Sequence, residues 1–226
     1  MEVFLINKMT HLKRQEIGKF WPVPRKGTKY FAVSAHNKSD SMPLVVVMRD
    51  ILKLVRNKKE LKKLIGEKQI LVNKKEIKET NYPICLFDII SFPHSKKNFK
   101  AVLSEKKKFA FDEISEKESD IKAFKIIGKK ILKGNKIQVN LSDGRNIIMK
   151  DKVNVDDSIV LNLKENKPKK IINLENGKIA YIIKGKHAGK KGKIVDIIER
   201  GGKKLVKING INKINVWIKN IIVVEE

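Results

Sequence analysis

Between positions 42 and 66 the apolar residues follow a helical period. Leu44, Val47, Met48, Ile51, Leu52 and Val55 stand at i, i+3, i+4, i+7, i+8 and i+11, which puts them on one stripe. Ser41 is the predicted N-cap, and Pro43 suits the first turn, where its missing N–H has no intrahelical partner to lose. A second helix is predicted directly afterwards. Asn57 and Glu60 have capping-box spacing, Leu61, Leu64 and Ile65 form the inner stripe, and Gly66 ends it. The period then shortens to that of strands. Ile70, Val72 and Ile77 flank a turn at Asn73–Lys74, and residues 86–92 read as a returning strand.

Beyond Ser104 alternation dominates, interrupted by one short helix whose Ser115 and Glu118 again have capping-box spacing. The stretch "KIQVNLSDGRNIIMK" predicts a hairpin with Asp143–Gly144 at its turn, Gly supplying the positive φ. Further short strands follow every 8–14 residues or so, the spacing of small β-barrels. Residues 1–41 keep no period for long, because Pro and Gly interrupt it. They read as an extended arm, anchored by Trp21, Tyr30 and Phe31, that orders on a partner. The expected organisation is therefore an arm (1–41), a helical unit with a hairpin (42–104), a central β domain (105–174) and a C-terminal barrel (175–226).

Charge says what kind of partner. The 226 residues carry 51 basic and 25 acidic side chains, a net +26. The four segments hold net +5, +8, +6 and +7, so the excess belongs to the whole chain and not to one tail. Self-repulsion on that scale calls for a polyanion touched along the length of the protein. A membrane competes poorly, since no run approaches the roughly 20 apolar residues of a spanning helix. "MEVFLI" is also shorter than the 7–15 or so apolar residues of a signal-peptide core. A single cysteine, Cys85, forms no intrachain disulfide and suits a reducing cytosol. His11, His36, His94 and His187 are scattered, so neither a zinc site nor another cofactor is expected.

The stretch 182–197, "IIKGKHAGKKGKIVDI", raises the possibility of a nucleotide cradle. A P-loop requires G-x-x-x-x-G-K-[ST] between a strand and a helix. Here Gly185 and Gly189 are one residue too close, Lys191 stands in place of the hydroxyl residue, and strands lie on both sides. What fits is a barrel turn in which Gly189 and Gly192 let backbone approach a phosphate and Lys184, Lys186, Lys190, Lys191 and Lys193 supply charge, with His187 among them. The stretch resembles the KOW motif of ribosomal and transcription proteins.

In the helical unit, Arg49, Arg56, Lys58, Lys59, Lys62 and Lys63 lie mostly off the apolar stripes, and Lys68, Lys74 and Lys75 extend the basic face onto the hairpin. This unit looks like the α-L RNA-binding domain, although that family usually places Gly at the turn where this chain has Asn73–Lys74. The order of pieces is more specific than any one of them. "HLKR" (His11 to Arg14), a Trp, "MPLVVVMRDIL", "ILVNKKEI", "YPICLFDIISF", "SDGR" and the KOW stretch together resemble small-subunit ribosomal protein four of the archaeal/eukaryotic type over roughly residues 9–224. The resemblance implies an α+β multidomain protein: a basic arm, an α-L domain, a central small β domain and an SH3-like KOW barrel. It implies small-subunit rRNA and neighbouring small-subunit proteins as partners, with no small-molecule substrate, in the cytoplasm. His11, Lys13 and Arg14 match the family's basic arm. Members begin close to "HLKR", which marks Met9 as an alternative start, and the short C-terminal region leans archaeal.

Two other classes compete. A transcription-elongation or RNA-chaperone protein also carries KOW barrels, but an α-L unit and a basic arm in the same chain count against it. A pseudouridine synthase needs a sizeable catalytic domain with a catalytic Asp. Asp112, Glu113, Glu116, Glu118 and Asp120 crowd a short helix without a partnered base and read as solvated charges. Cys85 and His94 are too isolated to act as nucleophile and base.

Overall fold

The computed structural model describes residues 11–134, 136–209 and 213–224, and these are mostly β with few helices. The chain divides into two compact units, residues 1–120 and 121–226. The division falls after Asp120 and not at the expected position after Ser104. Strand Phe109–Ile114 runs antiparallel along Lys97–Leu103 and completes the first unit's sheet, and Phe109 is buried in that unit's core.

In the first unit, helix α1 spans Leu44–Val46 and continues as a π-helical turn, Val47–Ile51. The wider turn is visible in Leu52 N–H, which donates to Val47 O at 2.9 Å. Ser41 does not cap the helix. Its hydroxyl is buried and donates to Asn37 O at 2.6 Å, while the helix N–H groups of Leu44 and Val45 donate to Tyr82 O and Thr80 O at 2.8 and 3.0 Å. Residues 44–48 are buried all round, so tertiary carbonyls satisfy an end that water and a side-chain cap cannot reach. The helix also stops short of Val55, with Lys53 left-handed at φ 54°.

Helix α2, Lys58–Gly66, follows the sequence reading: Asn57 Oδ1 accepts from Glu60 N–H at 2.9 Å. Glu60 returns its carboxylate to Arg56 N–H at 2.8 Å, one residue earlier than in a reciprocal capping box. Next, Leu71–Val72 and Lys75–Glu76 form a two-residue hairpin around Asn73 and Lys74 at φ 51° and 60°. Both central residues are left-handed, the requirement of a type I′ turn. Asn serves here for a second reason. Its side chain is buried, donates to Asp88 Oδ1 at 2.8 Å and accepts from Ile89 N–H at 3.1 Å, so it ties the turn to the returning strand. A glycine would fit the backbone and lose both bonds.

The expected free arm is folded onto this core. Trp21 is 5% exposed and Leu12 and Val23 are buried beside it, while Phe109 N–H donates to Phe20 O at 2.8 Å. Of its three predicted anchors Trp21 and Phe31 pack inward, their ring centroids 5.9 Å apart, whereas Tyr30 is exposed.

The second unit holds two five-stranded antiparallel sheets. One has long strand Ile121–Leu132 at its centre, between Lys136–Leu141 and Ser158–Asn162. The other is built around Ile179–Ile182, Lys191–Arg200, Lys203–Asn209, Lys213–Trp217 and Ile221–Val224 over a core of Ile and Val. The predicted Asp143–Gly144 turn is present, with Gly144 at φ 89°. Gly192 has a different task from the one expected. Its backbone is not left-handed; an added Cβ would lie 2.6 Å from Ile208 Cγ2 and 2.7 Å from Asn209 O. Gly192→Ala is therefore expected to destabilise this unit by about 1–3 kcal/mol in urea unfolding, through overpacking against backbone that cannot yield.

Candidate nucleic-acid interface

Helix α2 presents the clearest basic face. Leu61 and Ile65 are buried and Leu64 half-buried, which turns Lys58, Lys59, Lys62 and Lys63 outward, all exposed, with exposed Arg56 just before them. Lys58 and Lys62, like Lys59 and Lys63, are i, i+4 pairs of like charge, each costing a few tenths of a kcal/mol. Lys58 and Lys59 also stand in the first turn, where the helix dipole disfavours cations. The only carboxylate within ion-pair reach of these four is Glu67, 3.9 Å from Lys63 and itself exposed, among the described residues. A local arrangement that opposes helix stability at several positions at once points to an external anion.

On the hairpin the predicted residues separate. Lys75 is exposed, and exposed Lys68 pairs with Glu76 at 3.0 Å. Lys74 turns inward, its side chain 15% exposed, donating to Ser119 Oγ at 2.7 Å and forming an ion pair with Asp120, its Nζ 3.1 Å from Oδ1. Asp120 is thus an internal ion-pair partner and not a solvated charge. Arg49 is also engaged: Nε and Nη2 grip Asp50 at 2.9 and 2.8 Å, and these bonds raise its already high affinity for its proton.

In the arm, His11 and Lys13 are exposed. Arg14 is spent internally: Nη1 donates to Pro24 O at 2.7 Å, Nε to Thr28 O at 2.7 Å and Nη2 to Thr28 Oγ1 at 2.9 Å. Its guanidinium also lies 4.8 Å from the Phe31 ring centroid. Sequence counts Arg14 among the RNA-binding residues; the structure makes it the clamp of the loop it begins.

The glycine–lysine stretch joins two strands, Ile179–Ile182 and Lys191–Arg200, and no helix follows it. The loop is tied closed by Gly189 N–H on Ile182 O at 2.8 Å and Ile183 N–H on Asn220 O at 2.7 Å, with Gly185 and Gly189 left-handed at φ 99° and 88°. Lys184, Lys186, Lys190, Lys191 and Lys193 are exposed around it, and His187 is half-buried. Lysines held outward on a short, closed loop suit phosphates of an extended polyanion better than an enclosed triphosphate. Among the described residues, no group of three His, Cys, Asp or Glu is placed to hold a metal ion, and no helix is long and apolar enough to cross a membrane.

Comparison with known proteins agrees with this assembly. The model of the ribosomal family S4e matches residues 95–168, and that of the KOW motif matches residues 176–210. The small ribosomal subunit protein eS4 of Nanoarchaeum equitans is 33% identical over 223 residues, covering 96% of this chain and 95% of the relative. The chain belongs to the S4e family of ribosomal proteins. The eS4 protein of Methanosphaera stadtmanae is 38% identical over 190 residues, covering 83% of this chain and 79% of that one. The fold is that of the 30S ribosomal protein S4e from Thermoplasma acidophilum, whose crystal structure superposes with a TM-score of 0.72 at 24% identity, covering 83% of this chain and 96% of the other.

Proposed function

We propose that this S4e protein is a non-catalytic structural constituent of the small ribosomal subunit, binding and stabilising small-subunit rRNA in the cytoplasm and packing beside neighbouring subunit proteins. The helix pair, type I′ hairpin and returning strand within residues 42–104 act as an α-L-type RNA-binding part, and the barrel from residue 175 as a second grip. The observation that carries this reading is the outward face of α2, where four lysines form two like-charged i, i+4 pairs and two of them oppose the helix dipole in the first turn. Binding is charge neutralisation guided by shape. Lysines displace counterions from phosphates, while two rigid units fix where those lysines sit. With about six phosphates contacted, affinity falls roughly a thousandfold between 50 and 200 mM salt.

The test is cosedimentation of the tagged chain from cell extract. Stable residence in the small subunit through a high-salt wash is the expected result. Association with RNA polymerase instead would replace this reading with that of a KOW transcription factor.

A further inference from the structure

Tyr30 is 53% exposed in a chain whose aromatics make up only 6%, and among the described residues it belongs to neither apolar core. It belongs to a two-residue strand, Tyr30–Phe31, paired with Leu12–Lys13. Alternation sends Phe31 and Leu12 toward the core and leaves Tyr30 and Lys13, its register partner, on the outer side. The His11 ring stands beside Tyr30 with centroids 5.9 Å apart and planes tilted by 53°, and Lys29 Nζ lies 5.5 Å from the Tyr30 centroid. The platform is held in shape from behind. Arg14 N–H donates to Lys29 O at 2.9 Å, its guanidinium clamps Pro24 and Thr28, and Thr28 Oγ1 donates to Tyr30 O at 3.3 Å. The strand bearing the ring is therefore fixed before any ligand arrives, which lowers the ordering cost of binding.

We propose that Tyr30, with His11 beside it and Lys13 and Lys29 at its flanks, is a stacking platform for one unpaired RNA base, the two lysines taking the adjacent phosphates. This rests on the RNA-binding reading above and adds base stacking to a protein otherwise gripping phosphates. An apolar protein segment fits less well, because three of the groups around the ring are basic. A base stacks on an aromatic face more strongly than an exposed ammonium does, so the incoming base displaces Lys29 from the ring and leaves its charge beside the nucleotide's own phosphate.

Two RNAs of equal phosphate count separate stacking from charge: a stem–loop with a single-stranded 3′ tail, and a blunt duplex. Fluorescence anisotropy on the full chain is expected to show Tyr30→Ala weakening the tailed RNA about tenfold, or ~1.4 kcal/mol. The same variant should leave the duplex within about twofold and the salt slope unchanged on both RNAs. Tyr30→Leu should lose as much as Tyr30→Ala, and Tyr30→Trp should restore binding, since the ring face and not bulk is what matters. Because Tyr30 lies outside the core, all three variants should melt with wild type. If wild type binds both RNAs and Tyr30→Ala binds them equally well, or loses equally on both, stacking is wrong while RNA binding stands. If wild type binds neither RNA, the RNA-binding reading falls and takes this one with it.

Discussion

Replacing Lys58, Lys59, Lys62 and Lys63 together with glutamine is expected to weaken RNA binding by about a hundredfold to several thousandfold near 0.1 M salt, without unfolding the protein. Each phosphate left without its lysine takes roughly one unit from the slope of log affinity against log salt, so the variant should also bind with a visibly shallower salt dependence. The combination is diagnostic. A variant weakened by misfolding would lose affinity at all salt concentrations alike, whereas one that has lost counterion release approaches wild type as salt rises. Stability should hold or rise slightly, since the substitution removes two like-charge i, i+4 pairs and two cations from the first helical turn. Anisotropy titrations at several salt concentrations, paired with urea unfolding, read both quantities. Equal slopes for variant and wild type would remove α2 from the interface.

Lys125→Met is expected to have the largest effect on stability, about 3–5 kcal/mol, confined to residues 121–226. Lys125 is 6% exposed in the centre of strand Ile121–Leu132. Its ammonium donates to Ile218 O and, at 3.0 Å, to Ile221 O, and pairs with Asp156 Oδ1 at 3.0 Å. Close by, Val223 N–H donates to Ser158 Oγ at 3.0 Å, so the two sheets of this unit share a hydrogen-bonded seam. Methionine fills the same space and leaves the Asp156 carboxylate without its cation. Hydrogen exchange should lose protection across residues 121–226 and keep it in residues 11–120. Adding Asp156→Asn should recover part of the loss, because it removes the stranded charge.

The same lysine gives a pH signature of definite sign. Burial is the dominant influence and lowers its pKa below the ordinary 10.5, with Asp156 opposing. The unfolded chain therefore holds this proton more tightly than the folded one. Its contribution to stability rises with pH as titration approaches 10.5, and is smallest at lower pH where both states are protonated. Compared between about pH 8 and pH 10, wild type should gain stability relative to Lys125→Met.

Much of the fold was legible because its elements depend on local rules. Helix α2 could be read from Asn57, Glu60 and one apolar stripe, and the hairpins from Asp143–Gly144 and alternation. The π-helical turn at Val47–Ile51 could not, since an apolar stripe of this length suits either ladder. Nor could the packing of residues 11–41, whose irregular backbone has no period to read; only the cost of leaving Trp21 and Phe31 in water hinted at it. The candidate site divided along the same line. Lysines on α2 and the KOW loop sit where local pattern places charge outward. Arg14, Lys74 and Lys125 look the same in sequence and were claimed by partners 14, 46 and 93 or more residues away. In a chain with 51 basic residues, type alone does not separate an internal clamp from an RNA-binding side chain.

Whether the proposed outward lysines meet small-subunit rRNA is decided by protein–RNA crosslinking on purified small subunits carrying this chain, with sites mapped on both molecules. Crosslinks to rRNA are expected from the α2 face at residues 58–63 and from the KOW loop at residues 184–193, absent in the four-glutamine variant at the first of these sites. Crosslinks confined to other proteins, or none from either surface in subunits that contain the chain, would contradict that contact.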